Sequence, residues 1–401
     1  MNSWLIGLKS LRYRALHSFL SILLLGFGLG LILVLLASRE RFESTFTQNI
    51  KGIDMVVGAK GSPLQLILSS VYHIDAPTGN IPLQEFERLA KNPMVKKAIP
   101  LSYGDNYRGF RIVGTTVNYP QHYQTQLEKG QHFEKPFEVC IGAQVAKKAA
   151  LKLGDTFASN HGLDQEGDSH DHQKFKVVGI YEPSGTVIDQ LILTPLESIW
   201  LVHQHPEEHN HAGDHAHTKE PKEITAGLLS FSSPMATMML PRKVNKNTSM
   251  QAALPAIEIN RLFTLAKTAT QLLTALGYLL MLLAAISVFT ALYQSLQDEE
   301  PQLAFLRAIG ASRMKILGLI LAKGQLLGFA GFLLAMLLSQ LALAVMSQFL
   351  ESTYHYQVVL DLLNLTTLYL FLSTIFLATL ASVGPAFKAY RLNISNTLAH
   401  A

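Results

Sequence analysis

The sequence contains one cysteine, few charged residues and no phosphate-binding loop of the form G-x-x-x-x-G-K-[ST]. A single thiol, Cys140, excludes an intrachain disulfide framework and any metal site built from several cysteines. Charged residues make up 15% of the chain, against about 25% in an average soluble domain. With 49% hydrophobic residues, this composition disfavours a wholly soluble or a disordered protein. The net charge of +4 is too small to indicate a nucleic-acid partner.

The few charges are concentrated in one part of the chain. Of the 62 charged residues, 48 lie between Arg39 and Lys267, with equal numbers of each sign. This segment is long enough to bury its own core. Four other stretches contain no charged residue: residues 19–37, 268–297, 324–350 and 362–387. Because a helix needs about 20 apolar residues to cross the hydrocarbon core, the sequence predicts four transmembrane helices and one ordinary domain.

The residues flanking these spans predict their orientation. Three basic residues precede the first span and two follow the fourth, whereas the connection between the third and fourth spans holds Glu351 and Asp361 without a Lys or Arg. The positive-inside rule then places both termini in the cytoplasm. Trp4, Leu8 and Leu11 follow helical spacing beside basic residues and predict an interfacial amphipathic helix. We expect a multi-pass membrane protein with residues 39–267 outside the cytoplasm.

The predicted fold class is an α-helical integral membrane protein with a mixed α/β extracytoplasmic domain inserted between helices 1 and 2. The predicted order is an interfacial helix (1–18), helix 1 (19–38), the extracytoplasmic domain (39–267), helix 2 with an outward stalk (268–297), a cytoplasmic helix and loop (298–315), helix 3 (316–350), a short extracytoplasmic loop (351–361), helix 4 (362–387) and a cytoplasmic tail (388–401).

The large segment shows patterns of both strands and helices. Runs rich in β-branched and aromatic residues predict strands at residues 108–115, 137–141, 174–181, 190–193 and 225–231. Residues 83–91 and 142–151 predict helices. We expect Cys140 to be a buried apolar residue near a strand end.

The connection between the second and third spans carries helix signals at both ends. Acidic residues 298–300 followed by Pro301 are typical of a helix start. Gly310 is typical of a helix end, and Ser312 is suited to cap the next helix. Three apolar residues recur at every third position and predict one face: Leu303, Leu306 and Ile309. The pattern predicts a short amphipathic helix, which either receives force from a cytosolic partner or merely connects two spans.

Several motifs resemble those of ABC transporter permeases of the MacB/FtsX type, which include the lipoprotein-releasing LolC/E permeases. Residues 305–312 (FLRAIGAS) are similar to the family's coupling helix. Residues 8–16 (LKSLRYRAL) resemble its basic entry, and residues 384–391 (GPAFKAYR) resemble its exit from the fourth span. Gly328 and Gly331 match small residues expected early in the third span. The order of one helix, a large domain and three helices is also that of the family.

The resemblance implies a function and a set of partners. The chain would be a permease subunit of the bacterial inner membrane, energised by a separate cytoplasmic ABC ATPase and paired as a homodimer or a related heterodimer. By mechanotransmission its extracytoplasmic domain would export or extract a hydrophobic substrate or a lipoprotein, with a periplasmic adaptor or substrate protein and membrane lipid as further partners. The residues implied in coupling to the ATPase are Leu303, Leu306, Arg307, Ile309 and Gly310.

Two departures from the family pattern concern the same region. The family commonly has an Arg-Glu pair at the positions of Pro301 and Gln302, and a Glu at the position of Lys323. If those residues contact the ATPase or hold helices together, this chain does so differently.

Nine of the 15 histidines fall in two polar tracts, at residues 161–172 and 203–217. Neutral imidazole binds zinc, copper and nickel, and the composition predicts loops. The candidate ligands for zinc or another transition metal are His203, His205, His209, His211, His215 and His217. The alternative is a hydrophilic loop without a metal. No H-E-x-x-H motif is present, which disfavours a metalloprotease, and we predict no catalytic residue and no intrinsic cofactor.

Two other function classes stay open beside the transport subunit. The first is an FtsX-like transmembrane regulator without cargo, acting on a cell-wall hydrolase or in metal-responsive signalling. The second is a membrane enzyme, which the lack of a recognisable nucleophile–base motif or paired carboxylates disfavours.

Overall fold

The structure is a computed structural model that describes residues 15–160, 169–203, 222–354 and 365–391. The chain divides into two compact units, Met1–Phe42 with Leu265–Ala401 and Glu43–Thr264. We refer to the first as the membrane unit and to the second as the inserted domain. The predicted interfacial helix at residues 1–18 lies outside the described residues except for its last four positions.

Helices and strands alternate in the inserted domain, and long helices make up the membrane unit. The helices are α1 (Ala15–Ile50), α2 (Pro63–Ser70), α3 (Leu83–Ala90), α4 (Asn118–His122), α5 (Ala143–Ala149), α6 (Leu196–His203), α7 (Pro234–Asn247), α8 (Pro255–Ala308), α9 (Arg313–Tyr354) and α10 (Leu365–Tyr390). The strands are β1 (Met55–Ala59), β2 (Ile81–Pro82), β3 (Val95–Tyr107), β4 (Phe110–Thr115), β5 (Leu127–Gly130), β6 (Glu138–Ile141), β7 (Thr156–Asn160), β8 (Ser169–Tyr181), β9 (Ile192–Pro195), β10 (Glu223–Ile224), β11 (Ala226–Phe231) and β12 (Met250–Ala253).

Among the described residues, four helices are long and apolar enough to cross a membrane: α1, α8, α9 and α10. This confirms the four predicted spans, and the chain is a multi-pass membrane protein. Helices α1, α8 and α9 extend past both ends of their charge-free stretches, and α10 extends past the second end of its stretch. With 54 residues, α8 is about 80 Å long, far more than the roughly 30 Å of hydrocarbon that a span must cross.

Small residues let the membrane helices approach closely. A Cβ atom at Gly331 of α9 would lie 2.7 Å from Leu25 of α1, and one at Gly328 would lie 2.7 Å from Ala378 of α10. Without a hydrophobic driving force between helices in lipid, such close backbone contacts supply much of the packing energy. The two glycines singled out in the sequence are therefore contact points of α9 with two different neighbours.

The inserted domain is built on a ten-stranded mixed sheet within the described residues. The strand order is β12-β1-β11-β3-β4-β9-β6-β8-β5, and β7 pairs with β3 and β8. The pairs β4–β9 and β6–β8 are parallel, and the other pairs of this sheet are antiparallel. The short strands β2 and β10 form a separate pair. This mixed α/β architecture confirms the predicted class of the domain.

The five predicted strands and two predicted helices of this domain are all present with ends shifted by a few residues. Cys140 is a free, fully buried thiol in β6, as predicted. One prediction is wrong. Residues 169–172, expected in a loop, begin strand β8, because Ser169 pairs with Asn160 and extends the hairpin of β7 and β8. The backbone of His170 and His172 therefore belongs to a strand.

The predicted break before Pro301 is also wrong. Helix α8 continues through Pro301 to Ala308, so the expected short helix is the last part of a long one. Proline in a helix interior removes one hydrogen bond and disfavours the helix. Here the helix continues because its next turns pack against the membrane unit, with Leu303 and Ala304 both buried.

Candidate functional site

The turn between α8 and α9 is set by a glycine in the left-handed region. Gly310 has φ of +106°. Its N–H donates to the carbonyl of Arg307 at 3.0 Å, and the N–H of Ala311 donates to the carbonyl of Leu306 at 3.0 Å. These two bonds form a Schellman motif, which satisfies the last carbonyls of a helix and requires a residue that tolerates positive φ. The predicted helix end at Gly310 is confirmed.

The start of α9 follows directly after this turn. The hydroxyl of Ser312 accepts from the N–H of Lys315 at 3.4 Å, which is the capping role predicted for this residue. We refer to residues 298–315, from the end of α8 to the first turn of α9, as the 2–3 connection. It joins two antiparallel membrane helices by one tight turn.

The three apolar residues predicted to share a face do not do so. Leu303 is buried and Leu306 is half-buried, and both pack against a cluster on α8, α9 and α10. Ile309, by contrast, is 69% exposed. Steps of three residues turn by about 300° on a helix, so the third member is displaced by about 120° from the first. The helix also ends before Ile309 is reached.

A different set of apolar side chains is exposed at the 2–3 connection. Phe305 is 60% exposed, and Ile309 and Met314 are exposed to a similar degree. Positions 305 and 309 are four residues apart, the spacing of neighbours on a helix surface. The connection thus holds one apolar set inward, Leu303 and Leu306, and presents another outward. The periodicity predicted Leu303 and Leu306 correctly, misplaced Ile309, and gave no signal for Phe305 or Met314.

Cationic side chains contact aromatic rings at the ends of α8, α9 and α10, next to this connection. The guanidinium of Arg313 lies 5.8 Å from the ring centre of Tyr390. The ammonium of Lys388 lies 4.1 Å from the ring centre of Tyr293 and donates to its hydroxyl at 2.9 Å. These contacts of α9 with α10, and of α10 with α8, hold the helix ends on either side of the connection in place.

Sequence reasoning singled out Lys323 but missed its partners. The side chain is fully buried in α9, where it contacts Glu299 and Ser295 of α8. The signal in the sequence was an acidic residue before the turn and a lysine in an otherwise charge-free span. Whether such residues meet depends on how the two helices are rotated about their axes, and that rotation cannot be deduced from one sequence.

The predicted histidine site lies almost entirely outside the described residues. His203 is the last residue of α6, whereas His205, His209, His211, His215 and His217 are outside. Within the described part of the chain, no group of three or more His, Cys, Asp or Glu side chains is arranged to hold a metal ion. Of the six candidate ligands, the structure therefore describes only His203, and the predicted site stays a prediction.

The thiol of Cys140 has the environment of a core residue. Burial raises the pKa of Cys140 to about 11, and the sulfur lies 3.3 Å from the carbonyl oxygen of Gln131. A thiol that stays protonated at neutral pH is a poor nucleophile and a poor metal ligand. The role predicted for it, a buried apolar residue, agrees with this chemistry.

A buried polar network holds the end of α1 within the inserted domain. The side-chain oxygen of Asn49 accepts from the N–H of Val187 at 3.1 Å, and the hydroxyl of Tyr123 donates to the carbonyl of Asn49 at 3.0 Å. The buried carboxylate of Asp189 accepts from the N–H groups of Ser184 and Gly185, each at 2.8 Å. The loop at residues 184–189 is thus held by its own buried carboxylate and by the side chain of Asn49.

Comparison with known families covers most of the chain. Residues 18–255 match the model of the MacB-like periplasmic core domain. Residues 274–394 match the model of the FtsX-like permease C-terminal domain. Together these two matches include α1, the inserted domain and nearly all of the other membrane helices. No curated protein matches the chain.

Two solved structures are among those similar to the chain. The periplasmic region of MacB from Actinobacillus actinomycetemcomitans has 13% identity and a TM-score of 0.34, with 54% of this chain and 97% of that one covered. The extracellular domain of the noncanonic ABC-type transporter YknZ from Gram-positive bacteria has 11% identity and a TM-score of 0.31, with 49% and 98% covered. Since the first family model alone spans more than half of the sequence, and the second matches the remaining membrane helices, the chain belongs to the ABC transporter permeases of the MacB/FtsX type.

Proposed function

We propose that this protein is the permease subunit of an ABC transporter that couples ATP hydrolysis by a separate ATPase to movement of its inserted domain. The observation that carries the proposal is the arrangement of apolar side chains in the 2–3 connection. Its inward residues pack on the membrane helices, and its outward residues Phe305 and Ile309 are exposed at a fixed turn. An apolar, rigidly held projection is suited to bind a groove on a partner protein.

The proposed topology follows from the charges at the helix ends. Both termini and the 2–3 connection lie in the cytoplasm, and the inserted domain lies outside it. Basic residues before α1 and at Lys388 and Arg391 support this orientation. The match of residues 18–255 to a family model named for a periplasmic domain supports it as well.

Within the 2–3 connection we assign separate roles to the five coupling residues. Leu303 and Leu306 anchor the connection to α9 and α10, because both pack in their shared cluster. Gly310 sets the turn, because its φ of +106° is strained for other residues. Arg307 and Ile309 contact the ATPase, together with Phe305.

Affinity purification of the full chain from native membranes tests this assignment. Ile309→Asp places a charge on the outward surface and should reduce the amount of co-purified ATPase at least tenfold. Met238→Asp is the matched control, since Met238 is also an exposed apolar residue and lies in the inserted domain. Retention of the ATPase by the Ile309 variant, or the absence of any ATPase with the unaltered chain, would contradict the proposal.

Mechanotransmission and the cargo are further parts of the same proposal. Two permease copies, identical or related, would move their inserted domains and so export or extract a hydrophobic substrate or a lipoprotein. A periplasmic adaptor would or would not take part. Scarce charge within the spans supports this model, because an ion pathway needs polar residues at membrane depth. Crosslinking from exposed positions of the inserted domain identifies the outer partner. Capture of a cell-wall hydrolase without cargo would favour the FtsX-like regulator instead.

We also propose that the histidine tract at residues 203–217 binds zinc or another transition metal. The density of imidazole ligands in the sequence supports this. Zinc titration of the purified full chain should give binding that is lost when the six histidines are replaced by asparagine. Equal binding by both chains would contradict the proposed site.

A further inference from the structure

One lysine ammonium group is fully buried between the membrane helices. Lys323 of α9 has 0% of its side chain exposed. Its Nζ lies 2.6 Å from Oε2 and 2.9 Å from Oε1 of Glu299. The same Nζ lies 3.3 Å from Oγ of Ser295, and that hydroxyl lies 2.9 Å from Oε1 of Glu299. The three side chains contact one another, and their oxygen atoms offer an acceptor to each of the three ammonium protons.

The network lies on the contact faces of both helices. On α8, Ser295 and Glu299 are one turn apart, and Glu299 is one turn before the buried Leu303. On α9, the buried residues at positions 316, 319, 320 and 323 follow the spacing of a single helix face. The ion pair is therefore the polar end of an otherwise apolar seam that includes Leu303, Ile316, Leu319 and Ile320.

The residue after the lysine fixes α9 to the fourth membrane helix. A Cβ at Gly324 would overlap the hydroxyl of Ser382 on α10. Lys323 and Gly324 thus face two different helices from adjacent positions. The contact of Lys388 with Tyr293 joins α10 back to α8. These three contacts close a triangle of α8, α9 and α10 beside the 2–3 connection.

An apolar seam alone would not specify this arrangement. Leucines and isoleucines tolerate a slide of one helix along another, because one apolar side chain can replace the next in contact. A buried ammonium group allows no such slide, because any shift leaves a charge without a partner in a medium that cannot solvate it. Polar groups of this kind fix the register of paired helices at a cost in stability.

We propose that the Glu299–Lys323 ion pair, supported by Ser295, is a register lock that holds the 2–3 connection on α9. Movement of the connection then moves α9 and α10 with it, and the end of α8 does not slip. Glu299 and Lys323 are positioning residues. This role rests on the proposed function, since only a connection that receives force needs such a lock.

Hydrogen exchange of the full chain in lipid nanodiscs tests the lock without any ATPase. Glu299→Gln and Lys323→Met should each speed the exchange of amides at residues 302–308 at least tenfold. The charge-swapped double variant E299K/K323E should bring exchange back to within threefold of the unaltered chain. Glu300→Gln and Lys315→Met are matched controls that make the same chemical changes beside the pair and should leave exchange unchanged.

Three results would overturn the lock. The first is unchanged exchange in both single variants. The second is exchange in the swapped variant that is as fast as in the single variants. The third is exchange in the two control variants that is as fast as in the Glu299 and Lys323 variants. Should the single variants fail to fold, Ser295→Ala removes one bond of the network and should speed the same amides two- to fivefold, whereas unchanged exchange would count against the lock. A chain that shows the expected pattern but recovers no ATPase refutes the proposed function alone.

Discussion

The membrane unit and the inserted domain use similar apolar residues in opposite ways. The inserted domain collects its large apolar side chains in three buried clusters. The membrane unit leaves many of its leucines and phenylalanines exposed, among them Leu279, Phe376 and Leu380. Burial from water stabilises the first arrangement, whereas lipid or a second subunit must cover the second. Which side chains are exposed therefore indicates the surroundings in which each unit is stable.

The two units also differ in what specifies their packing. The inserted domain has a mixed sheet whose hydrogen bonds fix the register of its strands. The membrane unit has helices that satisfy their own backbone, so close glycine contacts and a few buried polar side chains must specify how they pair. Substitutions of the same type should consequently have unequal effects in the two units.

The largest effect should come from truncating a core leucine of the inserted domain. Leu228 of β11 is only 2% exposed. Leu228→Ala should lower the free energy of unfolding of the domain by about 2–5 kcal/mol, through lost burial and a cavity. Urea-dependent proteolysis of the full chain measures this, with Leu153→Ala at an exposed site of the same domain as the control. A loss below about 1 kcal/mol would contradict the assigned core.

A second effect should depend on pH and be confined to the inserted domain. Burial, together with the nearby charge of Arg111, lowers the pKa of His73 to about 3. The unfolded chain, with a pKa near 6.5, then binds more protons between pH 3 and pH 6.5, so stability falls as the pH is lowered through that window. Acidification from pH 7 to pH 5 should cost about 2 kcal/mol.

The variant His73→Asn isolates this contribution. Asparagine tolerates the φ of +56° at this position and does not titrate. The difference in pH dependence between the two chains, measured by the same proteolysis, should match the loss expected for His73. Identical pH profiles would show that the imidazole is not shielded from water as described.

A smaller effect is expected at the turn of the 2–3 connection. Gly310→Ala forces a side chain into positive φ and should cost about 1 kcal/mol. Exchange of the last amides of α8 should be about fivefold faster, because about 1 kcal/mol corresponds to about a fivefold change in rate. Gly318→Ala is the matched control, since Gly318 lies within α9 with open space around it and should be neutral or slightly stabilising. Equal effects at both positions would contradict the turn geometry.

The smallest effect should come from a leucine on the exposed face of α8. Leu279 is 51% exposed, and Leu279→Ala should change the stability of the purified chain by no more than about 0.5 kcal/mol. Thermal unfolding in detergent measures it against Leu228→Ala. A loss above about 2 kcal/mol would instead show that a second subunit covers this face.

Local rules predicted the parts of the fold that depend on neighbouring residues. Four spans, five strands, the helix end at Gly310 and the cap at Ser312 follow from composition, alternation and the chemistry of single residues. Strand β3 was missed because Lys96, Lys97, Pro100 and Gly104 interrupt its pattern. Its place between β11 and β4, with sheet partners on either side, overrides that weak propensity.

The candidate site shows the same limit. The inward position of Leu303 could be predicted from periodicity, but the outward position of Ile309 depends on where the helix ends. The pairing of Lys323 with Glu299 depends on how two helices are rotated against each other. Both are tertiary facts, and no spacing within one segment contains them.

The two chain ends of the inserted domain are neighbours in its sheet. Strand β1, just after α1, pairs with β12, just before α8, so that Val56 lies opposite Ala253. A domain whose ends meet can be added to a chain, removed or exchanged while the elements on either side keep their order. In evolution, a different domain can therefore replace this one between α1 and α8 in a single insertion, with the membrane helices unchanged.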